Sequence, residues 1–446
     1  MNPELRRNLW LEFSVHRLVA VPVLIALVLL FVFAVGEADR PQTIAGFAAA
    51  GYGALVLLWG TLRASLSVLG EAQERTWDTQ RMSAIGPWAM TWGKLLGAPS
   101  FTWYGGSMLL ALFVAAGWSS LQMPVGRLAL SLLAGAWLLH ALALIASILA
   151  ARKGVARRGG GFVLMSILLL MVASPAIQLA SNARNTAFWW RLEFDSAWFL
   201  LASLCAYAAW AVLGAYRCMC GELGLRTLPW ALPAFIGFSS LFLAGFATET
   251  RYGGALALVL FVGAMLSLGL AYLMLLGEAA GSPAAWQRLL AQWRAGHARR
   301  LLQELPLWLV ALVCGLALAL ASWPAPRAAA AAASPLSNAV FPLALALFAL
   351  RDAAIVSFFA FARQARRAEA AALFYLLLLY LLLPGLLSVV GLDGLADYVR
   401  PPAFEETGFA CIVMALQAAL ALALAVWRWR KVHGPDSLSA GAAVAP

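Results

Sequence analysis

Leu18 to Val35 reads LVAVPVLIALVLLFVFAV, a run without a charge and about as long as a helix needs to cross a bilayer. A hydrocarbon core about 30 Å thick takes roughly 20 helical residues, and every backbone group inside it has to be bonded within its own segment. The run is therefore read as a helix. The pattern returns near Ile44 to Leu62, Pro99 to Trp118, Leu128 to Ala151, Phe162 to Ala180 and Ala197 to Tyr216, and again near Trp230 to Ala247, Gly254 to Leu276, Leu305 to Ser322, Ala328 to Leu350, Ala371 to Val390 and Gly408 to Val426. The tenth run holds Pro335 and Pro342 and reads also as Asn338 to Phe361, with Arg351 and Asp352 inside it. A chain of 446 residues that is 63% hydrophobic and 11% charged has too few polar residues to clothe a soluble globule. The expected fold is an all-α polytopic membrane protein of about 12 transmembrane helices.

Lys and Arg set the orientation, because cytoplasmic loops carry their excess. With the N-terminus inside, alternate loops hold 23 of the 31 basic residues, among them Arg6, Arg7, Arg63, Arg75, Arg81, Lys94, Arg152, Lys153, Arg299, Arg300, Arg428 and Lys431. Both termini are expected in the cytoplasm, and the net charge of +11 follows from this asymmetry and from anionic headgroups, with no call for a nucleic-acid partner. The first run has the basic flank of a signal peptide, but cleavage would upset the alternation, so it is read as an uncleaved span. Cys205, Cys314 and Cys411 fall inside runs, and Cys218-Met219-Cys220 has no Cys or His pair nearby to complete a metal site. No metal and no disulfide are expected.

Pro3 to Arg17 puts Leu5, Leu9 and Phe13 on one helical face, as in a helix lying in the membrane surface, and Trp286 to Leu302 repeats the pattern. Gln303-Glu304-Leu305-Pro306-Leu307 aligns with Leu11-Glu12-Phe13-Ser14-Val15, and Leu350-Arg351-Asp352-Ala353 with Leu62-Arg63-Ala64-Ser65, a weak internal repeat of spans one to four in spans nine to twelve. The chain so divides into residues 1–220, six spans with a polar loop at 63–98; residues 221–277, two additional spans; residues 278–432, a four-span partial repeat with a surface helix over 285–302; and residues 433–446, a tail expected to be disordered. Phe188, Trp189, Trp190, Phe194 and Trp198 predict a short helix at an outer aromatic belt.

Gly70 to Gly97 reads GEAQERTWDTQRMSAIGPWAMTWGKLLG and mixes charge signs more densely than any other stretch. Glu71, Glu74, Arg75 and Asp78 stand at i, i+3, i+4 and i+7, the spacing of one helical face. Gly86-Pro87 breaks that helix, and Trp88 and Trp92 mark return to the headgroup region. In order and spacing, Glu71, Glu74, Arg75, Thr76, Met82, Ser83, Ile85 and Gly93-Lys94-Leu95 resemble the export-type (type 2) permeases of ABC transporters, whose pattern here is a glutamate, then Glu-Arg or Glu-Lys with Gly-Thr, a leucine-rich turn, and Gly-Lys entering the third span. The resemblance covers about Met1 to Tyr216. Two departures stand out: the glycine before Thr76 is absent, and Trp77 to Gln80 lacks the usual leucines.

The resemblance implies a loop that seats on a separate ABC ATPase subunit in trans, itself a dimer, with ATP and Mg on that partner and no cofactor in this chain. It also implies a bacterial inner membrane, and a homodimer or second permease where one chain does not serve as both halves. The coupling residues would be Glu71, Glu74, Arg75, Trp77, Asp78, Arg81 and Lys94, with Trp77 as a bulky anchor within a polar rim. Through the weak repeat, Arg351, Asp352, Arg363, Arg366 and Arg367 would form a second contact.

No G-x-x-x-x-G-K-[ST] occurs, so the chain has no phosphate cradle of its own, and no catalytic residue is assigned. Two other classes stay open: a secondary transporter of a small molecule or lipid, disfavoured because acids such as Glu12, Glu249 and Glu278 sit at span edges, and a membrane-embedded lipid or sugar transferase, disfavoured because the loop bearing Glu37 and Asp39 is short. His140 is read as a buried residue bonding a backbone carbonyl.

Overall fold

Runs of Leu, Ala, Val and Phe that leave water can satisfy their backbone only as helices or closed barrels, and this chain is built of helices. A computed structural model describes residues 2–35, 40–121, 124–152, 186–246, 254–277, 283–323, 340–362, 368–402 and 408–433. The chain forms two compact units, Met1–Thr227 and Leu228–Pro446.

Unit 1 begins with α1 (Pro3–Glu12), capped by Asn2, whose Oδ1 accepts from the Glu4 amide at 3.0 Å. There follow α2 (Val15–Val35), α3 (Arg40–Gln73), α4 (Trp77–Arg81), α5 (Pro87–Gly97), α6 (Ser100–Ser120) and α7 (Val125–Arg152). A hairpin of β1 (Thr186–Trp189) and β2 (Leu192–Asp195) then leads into α8 (Ser196–Glu222). Unit 2 holds α9 (Ala231–Ala244), α10 (Ala255–Gly277), α11 (Pro283–Arg294), α12 (Ala298–Glu304), α13 (Leu307–Ser322), α14 (Val340–Ala360), α15 (Ala370–Val389), α16 (Asp393–Ala396) and α17 (Gly408–His433).

Among the described residues, nine helices are long and apolar enough to cross a membrane, and ten if α12 and α13, bent by 102°, count as one span. The chain is a multi-pass membrane protein. Leu24, Leu27, Leu30 and Phe31 of α2 are exposed, an apolar flank that lipid covers. Where helices meet, small residues let them approach closely. In unit 1, Ala141 and Leu144 of α7 pack with Ala208, Ala211 and Ala215 of α8. In unit 2, Ala264 of α10, Ala311 of α13 and Ala346, Ala349 and Ala353 of α14 share one core, stitched by Ser267 Oγ donating to the Ala311 carbonyl at 2.7 Å.

Several expectations are corrected. The aromatic segment Thr186–Asp195 is an antiparallel hairpin, and the helix starts only at Ser196. Trp190 and Arg191 both take positive φ, 50° and 63°, the signature of a two-residue type I′ turn. Trp189, Phe194 and Phe199 cluster with ring centroids 5.7–6.1 Å apart, a packing that suits β-structure and overrides the helical reading. Asp195 ends the hairpin and caps α8; its bonds from the Trp198 amide and then Arg127 hold its carboxyl below the usual carboxylate range. The surface helix expected over 285–302 is broken at Gly296, which has φ +69°. The seventh run yields a helix of only 14 residues. The fifth run, Phe162–Ala180, the acids Glu37, Asp39, Glu249 and Glu278, and the tail 434–446 lie outside the described residues.

Candidate functional site

The polar segment grows out of the second span. Helix α3 continues for 34 residues, about 50 Å at a rise of about 1.5 Å, so its end stands clear of a hydrocarbon core about 30 Å thick. Ser147 Oγ, reaching across from α7, accepts from the Val68 and Leu69 amides, 3.0 Å each, and so caps the last turn of α3.

The continuous helix predicted over Glu71 to Asp78 is replaced by two helices with a turn at Glu74–Thr76. The Thr76 amide bonds the Glu71 carbonyl at 2.9 Å and the Arg75 amide the Ala72 carbonyl at 3.3 Å, a Schellman C-cap with Arg75 in the left-handed position at φ 59°. That position favours glycine, and a non-glycine residue there costs about 1–2 kcal/mol. Arg75→Gly is therefore expected to raise stability by about 1 kcal/mol, measured as an upward shift of the thermal midpoint, whereas Arg75→Val lowers it.

Behind the turn lies a buried ionic cluster. Lys94, whose side chain is 1% exposed, donates from Nζ to Glu4 Oε1 at 3.2 Å, to Glu71, and to Gln80 Oε1 at 3.1 Å. Arg7 closes the ring, bonding Glu4 at 2.9 Å and Glu71, and Asn8 Nδ2 donates to Glu4 Oε1 at 3.0 Å. Two cations face two carboxylates, so the cluster is neutral. The Lys94 ammonium also sits 5.1 Å from the Trp77 ring centroid. Gly93 and Gly97, one turn apart on α5, make this possible: a Cβ on Gly93 would lie 2.5 Å from the Glu4 Cβ, and one on Gly97 2.6 Å from the Asn8 Cβ. Helix α1 thus lies flush on α5, and Glu12 pins its far end by pairing with Arg63.

A second cluster ties α4 to the ends of α7 and α8. Glu222 pairs with Arg152 and accepts from Trp77 Nε1 at 3.4 Å, while Arg81 Nε donates to the Glu222 carbonyl at 3.0 Å. Trp77 is 4% exposed. It holds the segment together from within, which corrects the expectation of a projecting aromatic anchor. Of the predicted coupling residues, Glu71, Trp77 and Lys94 face inward; Glu74, Arg75 and Arg81 are exposed, as is Asp78 with a side chain 81% exposed. Met82, also 81% exposed, stands beside them.

Sequence reasoning missed Glu4, Arg7, Arg152 and Glu222 as parts of this site. Glu4 and Glu222 are solitary acids in basic surroundings, which is a signal, but their partners lie up to 145 residues away. Burial pushes the Glu4 carboxyl up, and Lys94 and then Arg7 outweigh it, so its pKa falls below the ordinary 4.5. A depressed acid contributes stability above its unfolded value that is lost as pH falls through the folded value. Proteolysis of the α1–α2 junction is accordingly expected to accelerate on acidification below 4.5, and Glu4→Gln to abolish that acceleration.

In unit 2, Arg351 and Asp352 lie mid-helix in α14, 3% and 1% exposed. This corrects the expectation of an exposed second contact for a partner, and of the two readings of the tenth run the helix follows the one with Arg351 and Asp352 inside it. Arg351 Nε and Nη2 both donate to Asp352 Oδ1 at 3.1 Å, and Nη1 to Gln417 Oε1 at 2.6 Å. Tyr272 donates to Asp352 Oδ2 at 2.7 Å, and Tyr380, in a π-helical turn at Leu378–Leu382, donates to the same oxygen. Arg363, Arg366 and Arg367 lie outside the described residues. His140 Nε2 bonds the Val56 carbonyl at 3.0 Å, as the sequence predicts. Comparison with protein families, curated proteins and solved structures finds no match to this chain.

Proposed function

We propose that the chain is the membrane subunit of an ATP-driven exporter, of the type 2 ABC class, with about twelve spans, both termini in the cytoplasm, and an inner-membrane location. A separate dimeric ATPase carries ATP and Mg and docks on the ridge formed by Glu74, Arg75, Asp78, Arg81 and Met82. A second copy or a second permease completes the complex.

The observation that carries this reading is the neutral cluster of Lys94, Arg7, Glu4 and Glu71 behind an exposed ridge of mixed charge. A loop meant only for solvent has no use for such backing. Here a force on the ridge passes into α1 and α5 through the Lys94 cluster, and into α7 and α8 through Glu222. The ridge offers an adaptable thioether, Met82, inside a charged rim, the composition of a docking patch that gains specificity from its charges. In this reading Trp77 keeps the ridge in shape.

Purification from native membranes in mild detergent tests it. A nucleotide-hydrolysing subunit is expected to co-purify, and the double reversal Glu74→Lys with Asp78→Lys to weaken its recovery by about tenfold or more, since like charges across an interface cost several kcal/mol. Recovery of the wild-type chain without any ATPase would contradict the proposal.

Asp352 favours a second reading, a secondary transporter, because ionisable residues inside membrane helices mark ion and substrate paths. Substrate uptake into proteoliposomes that hold the chain alone, driven by a proton gradient and without ATP, would decide for it.

A further inference from the structure

A buried ion pair is a poor device for stability, since apolar residues of equal volume often serve as well or better. Four features of the Arg351 centre point to a ligand. First, Asp352 sits in a saturated cradle: a carboxylate offers about four acceptor positions, and Arg351 Nε, Arg351 Nη2, the Tyr272 hydroxyl and the Tyr380 hydroxyl fill them from three helices. Second, the guanidinium is bonded at all three nitrogens, Nη2 also donating to the Tyr380 hydroxyl at 3.2 Å, but its fork has no bidentate partner among the described residues. Adjacent residues on a helix do not face each other, and Nε and Nη2 converge on one oxygen, where a carboxylate or phosphate free to rotate would present two. Third, Tyr380 reaches the centre from a π-helical turn, an irregularity frequent at functional sites. Fourth, a hydrogen-bond relay links the centre to an exposed turn: Gln417, which accepts from Arg351, donates at 2.9 Å to the Tyr398 carbonyl, in a turn whose Asp397 and Arg400 are exposed.

We propose that this centre is an anion-binding site of the membrane interior, held closed by Asp352 and opened when Asp352 takes up a proton. The Asp352 carboxylate gains one proton from the aqueous side, and the carboxylate or phosphate group of one monoanion takes its place on Arg351, Tyr272 and Tyr380. Before and after, the centre carries one buried cation and one buried anion, so its net charge stays zero. The groups around Asp352 are Arg351 on its own helix, Tyr272 on α10, Tyr380 on α15 and Gln417 on α17. A further cation on α17, Arg428, lies over the Phe358 ring of α14. The guanidinium itself is held 4.0 Å from the Phe348 ring centroid and 5.5 Å from that of Tyr380, which keeps its fork in place when the anion changes. The ligand's source is a lipid headgroup or a soluble metabolite of the same chemistry. The proposal is independent of ATPase docking and is tested without a partner.

Dimethyl phosphate, a monoanion throughout the useful pH range, is the probe, titrated calorimetrically into the full chain in phosphatidylcholine nanodiscs. Wild-type affinity is expected to rise about tenfold per pH unit of acidification while Asp352 is ionised, as one coupled proton requires. Asp352→Asn is expected to bind about tenfold or more tightly than wild type at neutral pH, with no pH slope. Should that variant be recovered only unfolded, a rise of the wild-type melting temperature with added dimethyl phosphate that grows on acidification carries the same result, and no rise overturns the proposal. The double variant Arg351→Gln, Asp352→Asn buries no charge and is expected to fold without binding. Nanodiscs containing phosphatidylglycerol distinguish the sources: competition with dimethyl phosphate identifies a lipid headgroup, and no competition a soluble anion. Equal binding by wild type and the double variant, or no binding by Asp352→Asn at any pH, overturns the assignment.

Discussion

Replacing Lys94 with methionine is expected to destabilise unit 1 by about 3–5 kcal/mol, the cost of removing one partner from a buried charge pair. The ammonium is enclosed, and its loss leaves the carboxylates of Glu4 and Glu71 facing each other with Arg7 alone to neutralise them. Two readouts separate this from a general loss of packing. The midpoint of thermal unfolding should fall, and α1 should become cleavable at its junction with α2 before the rest of the chain unfolds. Adding Glu4→Gln and Glu71→Gln to Lys94→Met should recover most of the loss, because charges in one network are not additive. Lys94→Met that melts with the wild type would show that the cluster carries no weight in the fold.

The second large effect lies at Gly93. A leucine there meets the Glu4 Cβ and Cγ, each 2.5 Å from the new Cβ, and the Leu5 backbone nitrogen at 3.0 Å. A flexible side chain can move aside, but a backbone atom moves only with its helix, so α1 has to lift off α5. Overpacking of this kind costs about 1–3 kcal/mol, and here it also parts Glu4 from Lys94. The expected result is a chain that stays in the membrane with α1 detached, seen as lost protection of the α1 amides in hydrogen exchange. Gly70→Ala is the control: it lies in a helix with nothing within 4 Å of the new Cβ, and it should be neutral or stabilising by up to about 1 kcal/mol.

The sequence makes the helices legible because a bilayer demands a length and an apolarity that no soluble element needs, and Leu18–Val35 or Gly408–Val426 meets both without help from the rest of the chain. The aromatics of the hairpin at Thr186–Asp195 also fit an interfacial helix, and only the mutual packing of Trp189, Phe194 and Phe199 decides between the two. At the polar segment, charge density marks the stretch that carries the ionic clusters, yet it could not separate inside from outside. Lys94 and Asp78 are both charged residues of one loop; one is buried by a helix from the far end of unit 1, and the other is left to solvent. Likewise the sequence leaves Arg351 and Asp352 either at the end of the tenth span or inside it, and the groups that hold the pair mid-helix, Tyr272, Tyr380 and Gln417, come from three other helices. Contacts across such separations leave no periodicity in a single sequence.

The central claim is that the ridge from Glu74 to Met82 is gripped by an ATPase in the cytoplasm. The most direct measurement places a photo-crosslinking residue at Asp78 and, as the inward-facing control, at Trp77, and irradiates native membranes. The account predicts an adduct between position 78 and a nucleotide-binding protein, with a yield that changes when ATP is added, and none from position 77. An Asp78→Cys variant labelled by a membrane-impermeant reagent from outside the cell, or a position 78 that captures only lipid, would contradict it.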